Sequence, residues 1–81
     1  MNSVSDEKII GVIENALNLK GGHLSIDSCA DDVKEWDSLG HVGVLLNLDK
    51  FFNGKVGGIQ EMATADSVRK IIEVLRHNSL I

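Results

Sequence analysis

Among the side chains able to take part in chemistry, Ser38 has the most favourable setting. It stands between Asp37 and Leu39, where a polar turn opens the longest apolar segment of the sequence, Val42, Val44, Leu45, Leu46, Leu48, Phe51 and Phe52. Asp and Ser directly before an apolar periodic run are a helix-start signal, because their side-chain oxygens accept from the first free backbone N–H groups. One of the two residues therefore caps, and the Ser38 hydroxyl is expected to lie exposed at the positive end of a helix. An anion esterified to that hydroxyl would be stabilised by the free N–H groups and by the helix dipole.

Other reactive side chains lack companions. Cys29 has no identifiable base beside it, and nucleophilic thiolate chemistry requires one, so a structural cysteine is expected. His23, His41 and His77 fall one to an element, without the short-spaced pair of a zinc site, and read as surface histidines. Asp31-Asp32 with Asp27 match no calcium-loop spacing and read as a solvated acidic loop. Gly54-Lys55-Val56-Gly57-Gly58 lacks both the Walker spacing and a preceding strand, and reads as a turn. No catalytic constellation and no metal site emerge, so the chain is expected not to be an enzyme.

These residues must be positioned by helices. Residues 4–18 read as the first, with Ser3 or Ser5 as its cap, Asp6 and Glu7 in its first turn, and Ile9, Ile10, Ile13, Ala16 and Leu17 as its apolar face. Asn18 and Gly21-Gly22 stop it. Residues 19–36 form a long connection, in which Leu24, Ile26, Val33 and Trp36 are the inward-pointing candidates and Trp36 the anchor. The second helix is expected from Asp37 or Ser38 to about Phe52, ended by Asn53-Gly54. Val56, Ile59 and Met62 suggest a short helical turn near residues 58–62. Thr64 is expected to cap a last helix, in which Val68, Ile71, Ile72 and Leu75 follow the i, i+3, i+4, i+7 rule and Arg76 and His77 suit the C-terminal end. Strand-like alternation occurs nowhere at useful length. The expected fold is all-α, a small antiparallel four-helix bundle with a long first loop.

Length and charge narrow the partners. Eighty-one residues make one small domain, 1–81, and leave little room for a large internal site. The single cysteine excludes an internal disulfide and fits a reducing cytoplasm, and neither a signal segment nor a membrane-spanning stretch is seen. Residues 1–37 hold eight acids against three lysines, whereas residues 38–81 hold four acids against five bases. Without a basic stripe, nucleic acid is disfavoured as a partner. Basic protein surfaces would be steered toward the acidic half.

The tripeptide Asp37-Ser38-Leu39 at a helix start resembles the attachment motif of the acyl carrier protein family. The likeness extends along the chain: the first helix, the long loop, the Phe52-Asn53-Gly54 break and the Met62-Ala63-Thr64 lead into a final helix fall at similar relative positions. The resemblance implies a monomeric carrier, cytoplasmic and non-catalytic. Ser38 would hold a 4′-phosphopantetheine arm, added from coenzyme A by a Mg²⁺-dependent phosphopantetheinyl transferase, and the arm's thiol would carry acyl groups as thioesters. Asp37 would belong to the transferase's recognition site, and Leu39 would offer an apolar contact beside the arm. Acyl-loading and acyl-transfer enzymes would be the further partners. Fatty acid carriers of the family line the second helix with acids, yet here Gly40 to Lys50 contains only Asp49. Together with Trp36 directly before the motif, this looks more like stand-alone carriers of dedicated pathways, such as polyketide, nonribosomal peptide or surface-polysaccharide synthesis.

Projected at about 100° per residue, Val44, Leu45, Leu48, Phe51 and Phe52 share the arc that must face the core. Leu39 and Leu46 fall opposite, beside Gly40, Gly43, Asn47 and Lys50, on the face where the family's partners dock. The two glycines are expected to let a partner approach the backbone. Two alternatives stand beside the carrier reading: an unmodified helical protein-interaction module, and a small helix-turn-helix DNA binder, disfavoured because the last helix offers only Arg69, Lys70 and Arg76.

Overall fold

The computed structural model describes residues 4–81. Ser3, one of the two expected caps of the first helix, lies outside the described residues. Three α-helices are present among them: α1 (Asp6–Ala16), α2 (Ser38–Phe51) and α3 (Val68–His77). Short 3₁₀ turns at Ala30–Asp32 and Gln60–Thr64 interrupt the two long connections. The chain is thus all-helical, but with three α-helices and not the expected four. At the expected short turn, five residues between Gly57-Gly58 and Ala65 wind only as 3₁₀, too short for an α-helix to form, and are held by the buried Met62. No described helix is long and apolar enough to cross a membrane.

All three helices share one terminal design. At each start a side-chain oxygen takes the N–H three residues on: Ser5 from Lys8 at 3.2 Å, Asp37 from Gly40 at 2.7 Å and Ser67 from Lys70 at 3.1 Å. At each end a residue in the left-handed region, Asn18, Asn53 or Ser79, turns the chain back. The next N–H then donates to a carbonyl five residues earlier: Leu19 to Glu14, Gly54 to Asp49 and Leu80 to Leu75, at 2.7–2.9 Å. These closures satisfy carbonyls that a helix end otherwise leaves free. The last helix therefore begins later than expected. Thr64 ends the 3₁₀ turn, its hydroxyl donating back to the Glu61 carbonyl, while Ser67 caps α3.

The core is built by Ile9 and Ile13 of α1 and Leu17 directly after it, Val44 and Leu48 of α2, and Val68, Ile71, Ile72 and Leu75 of α3, with Trp36, Val56 and Met62 from the connections. Ile10 and Ala16 sit at its margin. Helix α1 runs antiparallel to α2: Gly43 faces the Ala16 carbonyl, and farther along α2 the Asn47 side-chain amide donates to Val12 O at 3.0 Å. The start of α1 meets the end of α3 through the Asp6–Arg76 ion pair. Phe51, expected in the core, is instead at the rim, 37% exposed. Phe52 takes the inward position, and the two rings meet edge to face at 5.0 Å.

The long loop is fastened along its length. Leu24 is buried, and its N–H donates to the carboxylate of Glu14, itself a buried side chain, at 2.9 Å. Cys29 pairs as an isolated antiparallel bridge with Ser67, flanked by Ala30 N–H to Asp66 O and Val68 N–H to Ser28 O. Asp27 pairs with Arg69. Trp36, only 3% exposed, closes the loop into the core immediately before α2. Ile26 and Val33 are half-buried against the same core.

Candidate functional site

Asp37 is the residue that caps α2, its carboxylate accepting from Gly40 N–H, so Ser38 becomes the first residue of the helix with its side chain exposed. The Ser38 and Leu39 N–H groups precede the first intrahelical donor and point out of the helix end. Beside Ser38 opens a groove of about 680 Å³ between the end of the long loop, α2 and the second 3₁₀ turn. Val42, Leu45, Ala63 and Trp36 give it apolar walls; Asp37, Thr64 and Asp66 add polar groups at its rim. An extended, amphiphilic chain attached at Ser38 Oγ has room to lie there.

His41, expected at the surface, is half-buried in this groove and joins three segments of the fold. The Trp36 indole Nε1–H donates to His41 Nδ1 at 3.0 Å, and His41 Nε2 lies 2.8 Å from the Met62 carbonyl oxygen. An indole N–H only donates and a carbonyl only accepts, so the geometry requires the neutral tautomer with its proton on Nε2. The two rings also lie nearly parallel, 20° apart with centroids 6.2 Å apart. A signal for this placement was present in the sequence. His41, Val44, Leu45 and Leu48 follow the same i, i+3, i+4, i+7 spacing as a buried face.

The outward face of α2 carries an apolar ridge. Leu39 and Leu46 are 75% and 62% exposed, and Val42, which the projection leaves unassigned, is 56% exposed. Spaced i, i+3 and i+7, the three form one stripe leading away from Ser38. Asp49, the only acid of the helix, does not contribute to this face. Its carboxylate accepts from Val56 N–H at 3.0 Å and Gly57 N–H at 2.7 Å, holding the turn after α2.

The two glycines do not serve a partner. A Cβ on Gly40 would run into the Glu35 carbonyl oxygen and crowd a Leu17 methyl, and one on Gly43 would lie 3.5 Å from the Ala16 carbonyl oxygen. Both therefore face inward, toward α1 and the end of the loop. They allow close packing within the chain, and Asn47 on the same side is occupied by Val12.

Cys29 is half-buried and donates to Asp32 Oδ2 at 3.1 Å. That hydrogen bond, with partial burial and the negative charges of Asp32 and Asp31, pushes the thiol above its ordinary pKa. Such a thiol is a poor nucleophile near neutral pH. In the acidic loop, Asp27 is engaged by Arg69 and Asp32 by Cys29. Among the described residues no three His, Cys, Asp or Glu side chains converge into a metal-holding group. No protein-family model matches the chain, and no curated protein or solved structure does.

Proposed function

We propose that this chain is a non-catalytic, cytoplasmic acyl carrier in which Ser38 is the attachment point of 4′-phosphopantetheine. The observation that supports this reading best is the division of labour at the start of α2. Asp37 takes the capping role, which leaves the Ser38 hydroxyl exposed beside two unused N–H groups and next to the groove. A phosphodiester on Ser38 would sit against those amides at the positive helix end. The groove suits the rest of such an arm, with apolar walls for its carbon chain and polar groups at the rim for its amides. The arm would supply the thiol on which acyl groups travel.

The fold accords with an acyl-carrier-like bundle in which the second 3₁₀ turn stands where a short helix is expected. Partners would be a phosphopantetheinyl transferase, with Asp37 in its recognition site, and acyl-loading and acyl-transfer enzymes meeting Leu39, Val42 and Leu46. Because Asp49 is turned into the following loop, this face has no free carboxylate of its own. That favours a dedicated biosynthetic pathway over docking to general fatty acid enzymes.

Intact-mass measurement after incubation with coenzyme A, Mg²⁺ and a broad-specificity phosphopantetheinyl transferase tests the reading. The chain should gain the mass of one phosphopantetheine group, and Ser38→Ala should gain none while staying helical by circular dichroism. A chain left unmodified by several transferases would overturn the carrier reading and leave an unmodified interaction module that uses the same ridge.

A further inference from the structure

The bridge through His41 has the properties of a switch. It is the side-chain link that joins the end of the long loop, α2 and the second 3₁₀ turn at the groove: Trp36 donates to Nδ1, and Nε2 faces the Met62 carbonyl. We infer that this bridge is a pH-sensitive latch, closed while His41 is neutral and opened when it takes a second proton, and that it controls how firmly the wall of the Ser38 groove is held.

The chemistry is fixed by which atoms can donate. In the neutral ring Nδ1 offers the lone pair that the indole N–H requires. Imidazole is the side chain that gains a proton in the mildly acidic range, and the proton must go to Nδ1, because Nε2 already carries one. Two N–H groups would then point at each other across the 3.0 Å that now separates indole and imidazole nitrogens. The bond to Met62 survives protonation; the bond to Trp36 cannot. The indole N–H belongs to a residue only 3% exposed, so once that bond is lost one of the two rings must move before the N–H meets another acceptor. Trp36 is also what seats the end of the loop, so its movement loosens the groove wall next to Asp37 and Ser38.

The charged groups that line the groove beside the ring are acidic. Asp37, ahead of α2, and Asp66, ahead of α3, line the same groove; the second 3₁₀ turn brings only the Met62 carbonyl and Thr64. Among the described residues no cation lines the groove. The latch is a property of the fold and stands whether or not Ser38 is modified; only its bearing on a bound arm rests on the carrier reading.

The sole tryptophan makes the test direct. The indole N–H resonance and the fluorescence of Trp36 are followed in the unmodified full chain from pH 8 to pH 5. The indole resonance should move along a single-proton curve toward the position of an indole not bonded to nitrogen, with a matching change in fluorescence. Replacing His23 and His77 together by Asn should leave that curve in place, and His41→Gln should abolish it. In the unaltered chain at pH 8, nitrogen shifts of the His41 ring should report a protonated Nε2 and a bare Nδ1, a measurement that requires no variant to fold. A flat Trp36 response, a transition that survives in His41→Gln, or the opposite His41 tautomer would each overturn the latch. None of these readouts depends on phosphopantetheine transfer, so failure here is distinct from failure of the carrier reading.

Discussion

Trp36 combines two roles that can be separated by substitution. Its ring fills the core at the end of the long loop, and its N–H is committed to His41. Trp36→Ala removes both, and truncating a buried aromatic typically costs about 3–5 kcal/mol, a large share of the stability of a domain this small. Trp36→Phe keeps most of the packing but removes the hydrogen bond to the half-buried His41, a loss of about 0.5–1.5 kcal/mol by the usual net worth of one hydrogen bond. Denaturant titration should therefore rank wild type above Trp36→Phe and Trp36→Ala last; an unchanged midpoint for Trp36→Ala would show that the loop is held without it. Cys29 gives a second residue-level test, of electrostatics alone. The Asp32 hydrogen bond and the nearby acids raise its pKa, so less thiolate is present at pH 8 than in an ordinary cysteine. Asp32→Asn removes the carboxylate, lowers the thiol's pKa toward its usual value and should speed alkylation by iodoacetamide. Equal or slower alkylation would mean that access, not charge, governs this thiol.

At the scale of the helices, two glycines that look alike in sequence should respond in opposite ways. Gly11 lies on the outer side of α1, with nothing within 4 Å of the place a Cβ would take. Gly11→Ala should gain about 0.5–1 kcal/mol from the lower conformational freedom of the unfolded chain and from helix propensity. Gly40 is in α2, yet a Cβ there meets the Glu35 carbonyl oxygen, which is backbone and cannot swing away. Gly40→Ala should cost about 1–3 kcal/mol, as overpacking generally does. Thermal melts of the two variants should move to opposite sides of wild type. This pair also marks the limit of what could be read in the sequence. Helical periodicity placed Val44, Leu48 and the face of α3 correctly, because each is decided by neighbours on its own helix. The inward direction of Gly43 is decided by α1, more than 20 residues away, and that of Gly40 by Leu17 together with the Glu35 carbonyl at the end of the loop, so both passed for partner-facing positions. At the start of α3 the cap is Ser67 and not the expected Thr64. The bridge from Ser67 to Cys29 holds the later residue extended and starts the helix there. Of the candidate site, a helix start at Asp37-Ser38 was legible from local signals, which left open which of the two caps, whereas the Trp36–His41–Met62 bridge needed three segments brought together.

For the molecule as a whole, the long loop is fastened at Leu24, at Cys29 and Ala30, and at Trp36, which secures the start of α2, while Asp49 holds the turn after its end. What such a scaffold leaves free is the outer side of α2, where Leu39, Val42 and Leu46 stand clear of the core. Singly exposed leucines are ordinary. Here three exposed apolar residues stand at helical spacing, beginning next to the exposed Ser38. Asp49 is consumed by the turn that follows, so the ridge carries no carboxylate to pair with a basic partner. On the proposed carrier function, a partner that engages it should bind through apolar burial, and its loading rate should respond weakly to salt, because screening acts on charges and not on buried area. Leu46→Asp tests this at the far end of the ridge. At 62% exposure the side chain contributes little to stability, and a surface change of this sort usually stays within about 0.5 kcal/mol. The thermal midpoint should be nearly unchanged, while acyl loading by the cognate enzyme should slow sharply, and raising the ionic strength should not reproduce the defect in wild type. Should Leu46→Asp load normally, the partner surface lies elsewhere, with the acidic loop around Asp31 and Asp32 the next to be substituted. Loading that collapses with salt in the wild type would also reject the apolar ridge, since only a charge-driven contact behaves that way.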